Sequence, residues 1–197
     1  MLIESTANAM LDAITYDLCS LHTAYSITGA NEVTGGTPAY ARKAIVFGAA
    51  AVRVKAATSK PLFDIPASTT VRWIGVWTNA GTIFRGMFAN GGTERGFQVD
   101  VLNNNIVCEA HGLIDTDAVV FYGGPPPTGL TEGVVYFVVS NTAGDPDTFK
   151  VALTVGGAAI DITGQHSSTC KLAKMVQETF AAQGTHEVAA LSIGLTE

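Results

Sequence analysis

Near the N-terminus the apolar positions switch from helical to strand spacing. Ala7, Met10, Leu11 and Ile14 fall at i, i+3, i+4 and i+7 behind Ser5 and Thr6, which can cap, so the spacing predicts a short amphipathic helix over residues 6–15. Residues 18–24 then read as a strand, followed by strands near 43–47 and 51–56. In the latter, Val52, Val54 and Ala56 alternate with Arg53 and Lys55, which puts one face on the core and one in solvent. Pro61-Leu62-Phe63-Asp64-Ile65-Pro66 is bracketed by prolines and belongs at a sheet edge. Residues 71–78 form the strongest strand pattern, with Trp73 and Trp77 on one face and Ile74 and Val76 on the other. A strand apolar on both faces lies centrally, and Asn79-Ala80-Gly81 turns it into residues 82–88 as a hairpin.

From about residue 96 to residue 175 the texture changes. Three prolines at 125–127, a Gly-Asp-Pro turn at 144–146 and Gly156-Gly157 punctuate short strands, read at 98–101, 106–110, 118–122, 134–140, 148–154 and 159–163. A closing strand is expected over 185–195, with Val188 and Ala190 pointing opposite to Leu191 and Ile193. The expected organisation is therefore a base domain from residues 1–97 and 175–197, interrupted by an inserted β-module at 98–174.

Composition narrows the function classes. The chain has 197 residues, 47% apolar, with mean hydropathy +0.29 and only 14% charged, a balance expected of a β-rich globular protein with much surface covered by neighbours. Low charge favours an oligomer or an assembly component. A net charge of −6, with eleven Lys and Arg scattered rather than gathered into a basic stripe, disfavours nucleic acid as a partner. Met1-Leu2-Ile3-Glu4 lacks a positive n-region, and the longest uncharged apolar run, residues 44–52, is too short to span a bilayer. The expectation is a protein without signal peptide or membrane anchor.

Residues 21–42 form a long, heavily punctuated connection. Gly29, Gly35 and Gly36 supply special backbone angles, Asn31 can close an Asx-type turn, and Pro38 fixes its own φ. Such a loop is expected to be ordered and to pack in an interface with a neighbouring chain or against the helix of its own. Tyr40 is the expected anchor, with His22, Asn31, Glu32 and Arg42 as further interface candidates.

These residues also carry a resemblance. Ser20-Leu21-His22-Thr23-Ala24, Thr28-Gly29-Ala30-Asn31-Glu32-Val33-Thr34-Gly35-Gly36 and Pro38-Ala39-Tyr40-Ala41-Arg42 resemble the N-terminal signature of tail-fibre or head-fibre virion proteins of tailed bacteriophages. Ile74-Gly75-Val76-Trp77 and Gln183-Gly184-Thr185 extend the likeness, which covers roughly residues 1–98 and 172–197. Tyr25-Ser26-Ile27 departs from the Asp-Pro-Gly turn common in that family. The segment between is similar to a small β-module found inserted in phage tail and fibre proteins, through His111-Gly112-Leu113, Pro127-Thr128-Gly129-Leu130, Val135-Tyr136-Phe137-Val138, Phe149-Lys150-Val151 and Gly157-Ala158-Ala159-Ile160-Asp161. The resemblance implies a homotrimeric accessory structural protein of a virion, assembled in the host cytoplasm. Its implied partners are other virion proteins, such as the major capsid or tail proteins, and the host surface.

Several constellations invite chemistry. Cys108-Glu109-Ala110-His111 and His166-Ser167-Ser168-Thr169-Cys170 offer ligand types and spacings that tetrahedral zinc accepts, against plain structural roles, which are the expectation. A Cys108–Cys170 disulfide is geometrically conceivable, though a cytosolic origin argues against it. Cys19 reads as a small buried apolar residue. His22 could act as a base, yet no Ser or Cys stands in a nucleophile-elbow context and no Asp is recognisably placed as its orienter. Asp115, Asp117, Asp145 and Asp147 match no calcium loop. The Gly-Gly pairs lack the context of phosphate loops, and no carboxylate pair has glycosidase spacing. The expectation is thus an all-β chain, a sandwich or jelly-roll-like base domain with one N-terminal helix and an inserted small β-barrel-like module. It is expected to have no catalytic site, cofactor or metal, and to sit on the outside of a phage particle. The alternatives are a carbohydrate-binding adhesion module, with a groove over Trp73 or Trp77, and an enzyme acting on host surface polymer.

Overall fold

All six residues of strand β6 (Trp73–Thr78) are buried, as apolar side chains on both faces of a strand require. The structure, a computed structural model, describes residues 3–140 and 146–194. In it β6 lies between β1 (Leu18–His22) and β7 (Ile83–Ala89), and β2 (Lys43–Ala44) pairs with the other side of β1, giving a four-stranded antiparallel sheet. The β6–β7 reversal is made by Asn79, Ala80 and Gly81, all at positive φ. A bulge between Val76 and Trp77 shifts the register of the pair.

The chain divides into two units, residues 1–90 with 177–197 and residues 91–176. The second unit is therefore longer at both ends than the 98–174 expected from the sequence pattern. In the base unit the C-terminal segment retraces an earlier one backwards. Strand β14 (Glu178–Phe180) pairs with β5 (Thr69–Val71), β15 (Gly184–Glu187) with β4 (Leu62–Ile65), and β16 (Ser192–Gly194) with β3 (Val54–Ala56), all antiparallel. Their shared core includes Leu21, Phe63, Ile65, Val71, Val188 and Ile193. Each such side chain contributes roughly 1.5–3 kcal/mol on full burial. Both ends of the base unit's interruption meet at Arg72. Its carbonyl accepts the Asn90 N–H at 2.8 Å, and its Nε donates to the Gln177 side chain at 2.7 Å.

Two sequence expectations about facing are corrected here. In β3 the buried residue is Lys55, while Val54 and Ala56 are exposed. The reason is the helix α1 (Glu4–Asp12), which starts two residues earlier than the pattern suggested and has no side-chain cap at its N-cap Ile3. Only Ala7 and Leu11 of α1 are buried. Lys55 Nζ donates to the carbonyls of Leu11 at 3.3 Å and Ile14 at 3.1 Å, with Asp12 3.5 Å away, and so satisfies the helix C-terminus. Val52 and Arg53 take positive φ, which ends any strand before Val54. At the C-terminus Val188, Leu191 and Ile193 are all buried and Ala190 is exposed. The chain breaks between β15 and β16, which resets the alternation that a single strand would keep. Leu195, the expected last residue of that strand, lies outside the described residues.

The inserted unit is one six-stranded antiparallel sheet of β8 (Gln98–Asp100), β9 (Asn105–Val107), β10 (Ala118–Tyr122), β11 (Val135–Val139), β12 (Thr148–Ala152) and β13 (Lys171–Lys174). Their spatial order is β13-β10-β11-β12-β9-β8. The sheet is no closed barrel. Its ends are tacked at one point, where Arg95, just ahead of β8, exchanges hydrogen bonds of 2.8 and 3.0 Å with Leu172 of β13. Phe97, Ile106, Phe121, Tyr136, Phe149 and Leu172 fill the core. Residues 159–163, expected as a strand, run beside the sheet without joining it. Ile162 N–H instead reaches the Asn104 side chain at 2.6 Å, and Ile160 N–H reaches the Val151 carbonyl at 2.8 Å. The pattern does not show β13, where Lys171 and Lys174 hide the short apolar pair Leu172-Ala173, nor the three-residue β14. Of the expected turn at 144–146, Gly144 and Asp145 lie outside the described residues.

Candidate functional site

Period-two geometry puts Ser20 and His22 on the same face of β1. Gly75 of β6 lies opposite Ser20, and a Cβ there would come within 2.6 Å of both Ser20 Oγ and His22 Nε2. In that space a directed chain of hydrogen bonds forms. His22 Nδ1–H donates to the Ala30 carbonyl at 2.8 Å, Nε2 accepts from the Ser20 hydroxyl at 2.7 Å, and Ser20 Oγ accepts from Trp77 Nε1–H at 2.7 Å. Burial lowers the His22 pKa, with the nearby Ala30 carbonyl and Glu32 opposing, which suits the neutral ring this chain requires. A serine beside a histidine suggests a nucleophile and its base. Here neither is exposed, the hydroxyl is already held from both sides, and a carbonyl rather than a carboxylate orients the imidazole.

The remaining loop residues close around this pair. Glu32 bridges to His22 through the backbone, and Arg42 grips its carboxylate bidentately, Nε at 2.9 Å and Nη2 at 2.7 Å. The guanidinium carbon stands 3.5 Å over the centre of the Trp77 ring, and Nη1 donates to the Gly81 carbonyl. A bidentate, ring-stacked and partly buried pair is worth more than the roughly 0–1 kcal/mol of an exposed one. Tyr40 accepts from the Leu21 N–H at 2.7 Å, donates to Glu32 at 3.4 Å, and stacks on Phe63 with ring centres 5.8 Å apart. Burial pushes its hydroxyl pKa up. Asn31, at φ 61, accepts the Thr23 N–H at 3.0 Å through its carbonyl. From the far end of the chain, the Gln183 amide brackets the loop, accepting from Thr37 N–H at 2.8 Å and donating to the Pro38 carbonyl at 3.2 Å.

His22, Glu32, Tyr40 and Arg42 are thus brought together within one chain, whereas Asn31 is exposed and its side chain turns to the Tyr25 carbonyl at 3.4 Å. Tyr40 anchors the loop to the base unit's own core. Their partners Ser20, Trp77 and Gln183 are not evident from the sequence pattern. The Ser-x-His spacing on a strand was the available signal for the first. The outward rim of the loop is Ile27, Thr28, Ala30 and Gly35, all exposed. Gly29 is buried beneath it, where a Cβ would meet Trp77 at 2.6 Å and Phe84 at 2.9 Å.

The zinc-like set does not converge. Among the described residues no three His, Cys, Asp or Glu side chains are grouped as a metal would need. Cys108 and Cys170 are buried free thiols of the inserted core, and burial raises both pKa values, that of Cys170 to about 11. Cys19 is likewise buried, its thiol pushed up to about 12. Both ring nitrogens of His166 lie against backbone carbonyls, Ser167 at 2.7 Å and Phe97 at 3.1 Å, and are engaged within the inserted unit. Asp117 and Asp147 accept backbone N–H groups of Ile114 and Ala110 as turn caps, and Asp145 lies outside the described residues. Trp73 and Trp77, 0% and 7% exposed, offer no open face for a sugar to stack on. No protein-family model matches the chain, and no curated protein or solved structure is detectably similar to it.

Proposed function

We propose that the chain is a non-enzymatic structural component of the outer surface of a tailed-phage particle, a capsid decoration or a head or tail fibre, acting through protein–protein assembly as a homo-oligomer. One observation carries the reading. Among the residues on which the fibre-protein resemblance rests, His22, Glu32, Tyr40, Arg42 and Trp77 are joined with Ser20 in one network, and Gln183 separately brackets the same long loop at Thr37 and Pro38. A signature whose buried part holds a loop in shape and whose exposed part is its rim suits a protein whose product is a surface rather than a reaction. The low charge of the chain and the exposed, uncharged rim of the loop support association with other proteins. The trimer is what the resemblance implies. Immunogold labelling of purified particles with an antibody to this chain tests the proposal. Gold at repeated positions on head or tail is expected, whereas unlabelled particles beside a free pool of the protein would remove the reading.

A further inference from the structure

The first part of the long loop lies over the fully buried His22. Tyr25 packs on Trp73 with ring centres 5.0 Å apart, and Gly29 sits against Trp77 and Phe84 with no room for a Cβ. Trp73 and Trp77 flank Gly75 along β6, so residues 25–30 cross the sheet above the imidazole and meet it through the Ala30 carbonyl. The crossing holds its own shape. Ser26 Oγ accepts the N–H groups of Thr28 and Ala30 at 3.1 and 3.0 Å, and the Thr23 N–H closes its base on the Asn31 carbonyl.

The hydrogen-bond chain beneath it fits a neutral ring alone. With a second proton on His22, Ser20 Oγ accepts from both His22 Nε2 and Trp77 Nε1, and the Ser20 hydroxyl proton must find an acceptor in a fully buried site. Burial lowers the His22 pKa, so the cation forms below the ordinary 6.5. Surrounding charges do not compensate it. The Glu32 carboxylate attracts an imidazolium, but Arg42 grips that carboxylate and repels the ring cation. Arg72 directs its guanidinium to Gln177 and the Thr23 carbonyl, and β6 and β7 face the ring with the uncharged Gly75 and Phe84.

We propose that residues 24–31 are an acid-released flap: protonation of His22 lifts them from the sheet and opens the imidazolium to water, while the strands beneath stay paired. The strands stay paired because β1 keeps its full ladder with β6, and the second half of the loop is held elsewhere, by the Leu21 N–H bond to Tyr40 and by Gln183 at Thr37 and Pro38. The flap does not rest on the virion reading. The test is NMR of the full chain as pH is lowered stepwise from 7.5. It follows the His22 ring, the contacts of Tyr25 to Trp73 and of Gly29 to Trp77, and exchange of the Trp77 indole proton. As His22 titrates, the contacts should disappear. The indole proton should lose at least tenfold in protection, corrected for the intrinsic pH dependence of exchange, while the Leu21 and Val76 amides keep theirs. His22→Gln should retain the contacts over the same range. Ser20→Ala, which removes the hydroxyl bond that favours the neutral ring, should move the midpoint to higher pH. Contacts that outlast the titration of His22, sheet amides lost in the same step as the contacts, or a midpoint unmoved by Ser20→Ala would overturn the proposal.

Discussion

In the base unit, β3, β4 and β5 each pair with a strand from beyond the entire inserted unit, whereas every neighbour in the six-stranded sheet comes from within residues 91–176. The base unit therefore depends on its two ends finding each other, and its long loop depends on a charged and aromatic network to hold shape. The inserted unit closes its core with contiguous ladders and uses polar side chains mainly at turns, such as Asp100 capping Leu102 and Asn103, or Glu132 capping Gly123 and Gly124. Loop-closure cost rises only logarithmically with length, so an insertion flanked by two base-unit residues, Asn90 and Gln177, that both bond Arg72 is tolerated by a fold built on distant pairings.

Ending the chain after Val176 removes β14, β15 and β16 together, and with them the partners of Phe63, Ile65 and Val71. Calorimetry should then lose the base unit's unfolding transition altogether and keep that of the inserted unit. Gly75→Ala comes next. Its methyl group must displace Ser20 and His22 from a fully buried network, and a loss of about 3 kcal/mol in the urea stability of the base unit alone is expected. Lys55→Met keeps the apolar stem but leaves the last carbonyls of α1 without their donor. A loss of about 1–2 kcal/mol, with reduced helical circular dichroism, is expected in the same transition.

The smallest effects have opposite signs in the two units. His22 has a folded pKa below its ordinary 6.5, because burial disfavours the cation. Its contribution is complete above pH 6.5 and is lost as pH falls from there toward the lowered folded value, by at most about 1.4 kcal/mol per pH unit. Glu94 of the inserted unit has a folded pKa above its ordinary 4.5, again chiefly through burial, opposed by the hydrogen bond from the Tyr122 hydroxyl and by Lys171. Its contribution is present below pH 4.5 and is lost as pH rises through the folded value. Calorimetry between pH 4 and 7.5 should show His22→Gln flattening the acid slope of the base unit, and Glu94→Gln flattening a slope of opposite sign in the inserted unit. A His22→Gln slope identical to that of the unaltered chain would remove the buried neutral imidazole from the account.

Legibility in the sequence divided instead by whether an element is decided locally or by its tertiary partners, in both units alike. Where one strand is apolar on both faces, as in β6, or where prolines and glycines mark its ends, as in β10 and β11, pattern alone located it. It failed where tertiary partners decide. Lys55 points inward because a helix end needs its amine, and residues 159–163 stay out of the sheet because their backbone groups are taken by Asn104, Val151 and Thr128. Short β14 offers no period to read, and only its pairing with β5 makes it a strand. At the loop, four of the five polar and aromatic candidates, His22, Glu32, Tyr40 and Arg42, fall together, and Asn31 stays apart on the exposed side. That Ser20 and Trp77 complete the set depends on Gly75 lying opposite Ser20, a register no single strand contains.

The claim that the base unit is a complete fold interrupted by a second one is tested most directly by joining Asn90 to Gln177 through a short Gly-Ser linker and recording the amide correlation spectrum. The base-unit cross-peaks should overlay those of the full chain, with the Leu21 amide still shifted by its bond to the Tyr40 hydroxyl and the His22 imidazole proton still protected from exchange. Collapse to the narrow dispersion of an unfolded chain, with residues 91–176 alone also failing to fold, would contradict the account and make the two units one core.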